Sequence, residues 1–165
     1  MVFQPVLYVI GYLLSALSII LCIPAGVDAF YGDNQWQSFT FASLISLFFG
    51  IILILANKSD DLSINLKQAF LLTTLSWVFI AIFGSLPFIF SDLELSFTDA
   101  LFESMSGITT TGSTVLSGLD NLPHGILIWR SLLQWIGGIG IVVIAIAFLP
   151  ILKVGGMQLF HTEAS

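Results

Sequence analysis

The stretch FESMSGITTTGSTV, residues 102–115, sets three consecutive threonines and two glycines between long apolar runs. Oxygen ligands without fixed charge, from hydroxyls and main-chain carbonyls, suit a weakly hydrated monovalent cation that must leave as readily as it enters. Gly112 permits backbone angles that a side chain forbids, so the strand ITTTGS can turn its carbonyls toward a pore axis. The same composition also suits an extracellular turn with a solvated cap. Two charges sit nearby in apolar sequence, Glu103 and Arg130. An unpaired cation inside a bilayer costs at least a few kcal/mol. Arg130 therefore needs a partner, and Glu103 is the candidate for a structural ion pair. The alternative places Arg130 beside the permeation path, where it would repel cations.

The elements that position these residues follow from composition. The chain of 165 residues is 57% hydrophobic and 8% charged, with a mean hydropathy of +1.04, whereas soluble domains carry about 25% charged residues. Its solvent is lipid. Apolar runs cover residues 5–30, 37–56, 68–90 and 125–152, and each reaches the roughly 20 residues that cross about 30 Å of hydrocarbon. The first run has no Lys or Arg before it and a poor cleavage pattern near Pro24, so it reads as a retained helix and not a signal peptide. Pro24 and Pro87 fall near span ends, where a missing N–H is tolerated. The predicted fold is an all-α integral membrane protein: four transmembrane helices, with a re-entrant half-helix and an extended filter loop between spans three and four.

Segment 91–124 carries that loop. Phe97, Leu101 and Met105 recur at helical spacing, Ser96 or Thr98 can cap the start, Asp99 lies near the positive end of the dipole, and Gly107 is a plausible stop. About ten helical residues cover roughly 15 Å, and about five extended residues return the same distance. A descending half-helix would bring its carbonyl end near the midplane, where the negative end of its dipole favours a cation. Non-helical backbone at that depth survives only where it is buried in protein or lines water.

Cations fix the expected orientation. Lys58 and Lys67 flank the connector between spans two and three, and Lys153 follows span four. These share one side, which the positive-inside rule makes cytoplasmic, so both termini are expected there. Asp33, Asp92, Glu94 and Asp120 fall on the other side; with Asp99, the loop acids could concentrate cations above a pore or form a solvated rim.

Gly137, Gly138 and Gly140 within span four either let helices pack closely or provide a gating hinge. Gln134 can bond to filter backbone or to another helix. Trp129 and Trp135 read as packing aromatics and Trp36 as an interfacial anchor. Cys22 reads as packing, and His124 and His161 as surface residues without metal-ligand company. The net charge of −6 argues against nucleic acid as a partner. No nucleophile–base pair, P-loop or dinucleotide fingerprint occurs, so no enzyme and no cofactor is expected.

GSLPF, TDALFESMSGITTTGSTV, LLQWIGGIGIVVIAIAFLP and GGMQL together resemble the Trk/Ktr/HKT superfamily of potassium transporters, within it the amino-terminal portion of TrkH-type membrane subunits. The resemblance covers essentially the whole chain. It implies residues 1–66 as an extra transmembrane helix pair with its connector. Residues 67–165 would be the first of four helix–pore loop–helix repeats, with a short cytoplasmic tail. It also implies filter carbonyls at Thr110 and Thr111, which would ligate potassium as substrate, with Gly112 as the filter glycine and Thr109 and Ser113 as second choices. Potassium uptake through a bacterial cytoplasmic (inner) membrane would follow, with a cytoplasmic nucleotide-binding ring as regulatory partner. One filter strand cannot surround an ion, so the chain is expected to be a fragment completed by the remaining repeats. Copies of the chain in a homotetrameric channel, or a non-conducting packing module, are the alternatives.

Overall fold

The computed structural model describes residues 3–58 and 64–162. Among these the secondary structure is helical, in the order α1 (Gln4–Tyr31), α2 (Trp36–Ala56), α3 (Leu66–Phe90), α4 (Phe97–Ile108) and α5 (His124–Thr162), with one 3-10 turn at Leu119–Asn121. Four helices are long and apolar enough to cross a membrane: α1, α2, α3 and the His124–Val143 part of α5. α4 is the short element between the third and fourth.

Local chemistry explains the boundaries. α1 ends at Gly32, which takes the left-handed conformation (φ +80°) and donates its N–H to Asp28 O, an arrangement open to glycine at little steric cost. α3 begins in a reciprocal cap: Gln68 N–H donates to Asn65 Oδ1 and Asn65 N–H to Gln68 Oε1, each at 2.9 Å. Two orphan donors are thereby satisfied. Pro24 and Pro87 both lie inside their helices. α5 differs most from expectation. A span ending near residue 152 and a short tail were expected, yet the helix continues to Thr162, 39 residues in all, or about 58 Å at 1.5 Å per residue. Hydropathy falls at Lys153, but helix formation does not require hydropathy, and Pro150 removes only one donor. The side chains of Lys153 and His161, the last three residues and residues 59–63 of the polar connector lie outside the described part.

α1 is the hub, packing on α2, α3 and α5. Val6, Ile10, Leu14, Leu17 and Leu21, spaced by three or four, are all buried, and they meet Phe39, Phe83, Phe88, Ala100, Ile126, Trp129 and Leu133 from the other helices. The seam with α2 is built from small residues. A Cβ on Gly11 would lie 2.8 Å from Gly50 O, and one on Gly50 2.6 Å from Ser15 Oγ. Further along, Ser43 Oγ donates to Ser18 O at 2.8 Å and lies 3.7 Å from Cys22 Sγ. Lipid offers apolar side chains no reason to leave it, so close backbone approach and interhelical hydrogen bonds hold such helices together.

Gly50→Leu should separate α1 from α2 and cost about 1–3 kcal/mol by overpacking. Gly26, where an added Cβ meets nothing within 4 Å, gives the control: Gly26→Leu should leave thermal unfolding in detergent unchanged or raise its midpoint.

Candidate functional site: the α4 end and its returning loop

α4 starts at Ser96, whose Oγ accepts the Asp99 N–H at 3.1 Å while donating to Asp99 Oδ2 at 2.7 Å. It packs against α3 and α5 with Ala100, Glu103, Ser104, Ser106, Gly107 and Ile108 buried. The apolar face read from the sequence, Phe97, Leu101 and Met105, points the other way, with Phe97 62% and Met105 36% exposed and Leu101 half-buried. Small and polar residues face the bundle because they allow close contact. A Cβ on Gly84 of α3 would lie 2.7 Å from Ser104 Oγ, and one on Gly107 2.9 Å from Leu133 Cβ of α5.

Gly107 is therefore a packing glycine within the helix and not its stop. The left-handed residues come later, at Thr110 (φ +59°) and Gly112 (φ +76°). The turn has a cause in its hydrogen bonds. Thr109 N–H donates to Met105 O (2.9 Å), Thr110 N–H to Gly107 O (2.9 Å), and Thr111 and Gly112 N–H both to Ser106 O (3.0 and 3.3 Å). Ser106 Oγ donates to Ser113 O at 2.6 Å. The donors of this stretch are thus turned in toward the helix that precedes it. Its acceptors are not: the carbonyls of Thr109, Thr110, Thr111 and Gly112 receive no hydrogen bond among the described residues. The residues themselves are exposed. Left-handed angles at 110 and 112 also break the side-to-side alternation of an ordinary strand. Thr109 Oγ1 is engaged with Met105 O and Thr111 Oγ1, each at 2.8 Å.

The returning arm is tied down by Glu103. Its Oε1 accepts from Thr114 Oγ1 (2.5 Å) and from Val115 N–H (2.6 Å), and its Oε2 meets Arg130 Nε at 3.0 Å. The glutamate is 1% and the arginine 15% exposed. Trp129, next to it on α5 and fully buried, donates Nε1–H to Gly84 O at 2.9 Å. Further along α5, Gly137 lies directly against Ile108 O, where a Cβ would collide. α5 runs unbroken through Gly138 and Gly140, around which an added Cβ meets nothing within 4 Å. Trp135 is 66% exposed and Trp36 42%. Gln134 Nε2 is 3.7 Å from where a Gly112 Cβ would stand.

Sequence reasoning passed over three participants. Ser106 and Thr114 were indistinguishable from other hydroxyls until the loop folded back. Asp28 had a readable signal, an acid inside an apolar span that must find a partner. It is fully buried and accepts the Gly125 N–H through Oδ1. Asp33 Oδ2 accepts from both His124 N–H (3.1 Å) and His124 Nδ1 (2.9 Å), and Tyr31 stacks on that imidazole at 4.1 Å. The expected surface histidine is thus part of a contact between α1 and α5. The ring hydrogen bond, then the main-chain one, hold the Asp33 carboxyl below its ordinary value. Of the other acids, Asp92 is bound by Gln35 Nε2 at 2.9 Å, and Glu94 and Asp120 are exposed.

A profile of the TrkH cation transport protein family matches residues 35–165. The chain belongs to the TrkH family. It is 44% identical to the Trk system potassium uptake protein TrkH of Escherichia coli (strain K12) over 98% of its own length and 34% of that relative's. It is 34% identical to the potassium uptake protein TrkG of the same organism, over 96% and 33% of the two chains. The crystal structure of the potassium transporter TrkH from Vibrio parahaemolyticus superposes with a TM-score of 0.88 at 40% identity, covering 94% of this chain and 34% of that one. The chain thus spans about a third of the length of the relatives it matches. It is a multi-pass membrane protein of the TrkH fold.

In this TrkH-family chain, Arg130→Gln should leave a buried, uncompensated carboxylate and cost about 3–5 kcal/mol. Glu103→Gln/Arg130→Gln together should cost less than Arg130→Gln alone. Thermal unfolding and the amount of folded protein in the membrane read both effects. Asp33 supplies a pH dependence. Because its folded-state pKa is lowered, its contribution is present above the ordinary carboxylate range and is lost as pH falls through the lowered value. The difference in unfolding midpoint between wild type and Asp33→Asn should be present at neutral pH and vanish in acid.

Proposed function

We propose that residues 67–165 are the first of four repeats lining a potassium uptake pathway through the bacterial cytoplasmic membrane, with residues 1–66 as an accompanying helix pair. In this reading α4 is a re-entrant half-helix, both termini are cytoplasmic, and the ion is held by the carbonyls of Thr110 and Thr111 beside Gly112. Thr109 and Ser113 stand at the margins of the site. Ser113 is the poorer ligand of the two, since its carbonyl already accepts from Ser106. One observation carries the reading: a run of main-chain acceptors left free while the neighbouring donors are tied inward to α4. Unpaired carbonyls are costly in lipid and useful around a cation, whose hydration shell they replace.

The charge pattern supports the same reading. Glu103 and Arg130 cancel one another, so the loop presents dipoles and no net charge to an ion, which favours release as well as binding. The carbonyl end of α4 adds its negative dipole at the same place. Four such walls are needed, and about two thirds of the relatives' length lies outside this match. Gly138 and Gly140 are the hinge positions in this reading. Gly140 borders an apolar groove of about 410 Å³ lined by α1, α3 and α5. A cytoplasmic nucleotide-binding ring is the regulatory partner.

Rubidium flux into vesicles tests it. A chain continued past Ser165 through the remaining repeats should conduct, this chain alone should not, and Gly112→Ala should lower flux about tenfold, since a side chain in the left-handed region costs roughly 1–2 kcal/mol at this wall. Normal flux and normal potassium-over-sodium preference in Gly112→Ala would remove the loop from the pathway. Flux from the 165-residue chain alone would favour a ring of identical copies.

A further inference from the structure

We propose that Asp28 is a positioning residue for the pore loop, acting from outside the repeat by fixing the depth of α5. The proposal rests on the reading of 109–113 as the ion path. A helix begins with four N–H groups lacking intrahelical partners, and in α5 all four are accounted for. His124 N–H goes to Asp33 Oδ2 and Gly125 N–H to Asp28 Oδ1. Ile126 and Leu127 N–H share Pro123 O at 3.1 and 3.3 Å. Two of the three acceptors are therefore carboxylates of the amino-terminal unit, reaching across to cap a helix about a hundred residues later in the chain.

The fit is close. Asp28 is fully buried, and its second oxygen has no hydrogen-bond partner. A Cβ on Gly125 would collide with that carboxylate. Glycine at 125 is thus the condition for the contact.

What α5 carries makes the cap more than a fastening. Helical rise places Arg130 about 7.5 Å, and Gly137 about 18 Å, along the axis from Gly125. Arg130 holds Glu103, which holds Thr114 and Val115. Leu133 fills the space over Gly107, and Gly137 seats Ile108 O. An unbroken helix cannot stretch between these points. Moving its capped end displaces the contacts that shape the loop.

The test uses a chain continued past Ser165 through the remaining repeats, with Asp28→Ala, Asp28→Asn, Gly125→Ala and the double variant Asp28→Ala/Gly125→Ala. Amide hydrogen exchange at Thr111, Gly112 and Val115 reads the loop, and rubidium flux and potassium-over-sodium preference read the pathway. Asp28→Ala should speed exchange at those amides about tenfold, as the loss of a helix cap would, leave α2 amides unchanged, and reduce both flux and preference. Asp28→Asn keeps an acceptor oxygen and should restore most of each. Gly125→Ala should resemble Asp28→Ala, and the double variant should be no worse than either single one. Wild-type exchange in Asp28→Ala, or effects that simply multiply in the double variant, would overturn the proposal. Should Asp28→Ala not accumulate in the membrane, wild-type exchange in Gly125→Ala would overturn it instead. A wild type that carries no ions would defeat the pathway reading, while exchange would still decide whether Asp28 positions the loop.

Discussion

Glu103 is a carboxylate with both oxygens committed, and the arrangement of α4, its returning loop and α5 depends on that commitment. One oxygen takes two donors from the returning arm of the loop and the other takes Arg130. In a low-dielectric interior a half-satisfied charge is worse than none, so the three segments it joins are held together or not at all. The loop between α4 and α5 has no ladder of its own. It takes its shape from the end of α4, from Glu103 and from Ser106, and what it leaves over is a row of unclaimed carbonyls.

Small residues set the distances at which this works. Gly84 admits Ser104, Gly107 admits Leu133, and Gly137 admits the last carbonyl of α4. Each contact brings α4 closer to its neighbours than any larger side chain would permit. Burial alone would have chosen otherwise, turning Phe97 and Phe102 inward; in lipid there is no such preference, and contact between backbones wins.

Much of this was legible in the sequence. Four spans emerged from hydropathy, α4 from periodicity and the cap at Ser96 from residue type, because each depends on local composition. The Glu103 and Arg130 juxtaposition was also legible, since two opposite charges in apolar sequence leave few other partners. Three features were not. Gly107 looked like a helix terminator because glycine at a helix end and glycine under a leucine are the same letter. The extent of α5 was underestimated because Lys153 ends an apolar run without ending a helix. The contact of Asp28 was hidden because, although an acid in an apolar span signals a need for a partner, that partner is a main-chain N–H, which has no signature in sequence.

The order in which the chain is made gives the α1 to α5 contact a further meaning. Asp28 precedes Gly125 by 97 residues, and α1 and α2 pair through contacts close in sequence. Polypeptides emerge from the ribosome amino end first, and earlier segments can settle before later ones appear. The hairpin of α1 and α2 can therefore be seated before α5 is translated. The newest helix then inserts beside a waiting pair of acids, so that the hairpin made first supplies the cap for the helix made last.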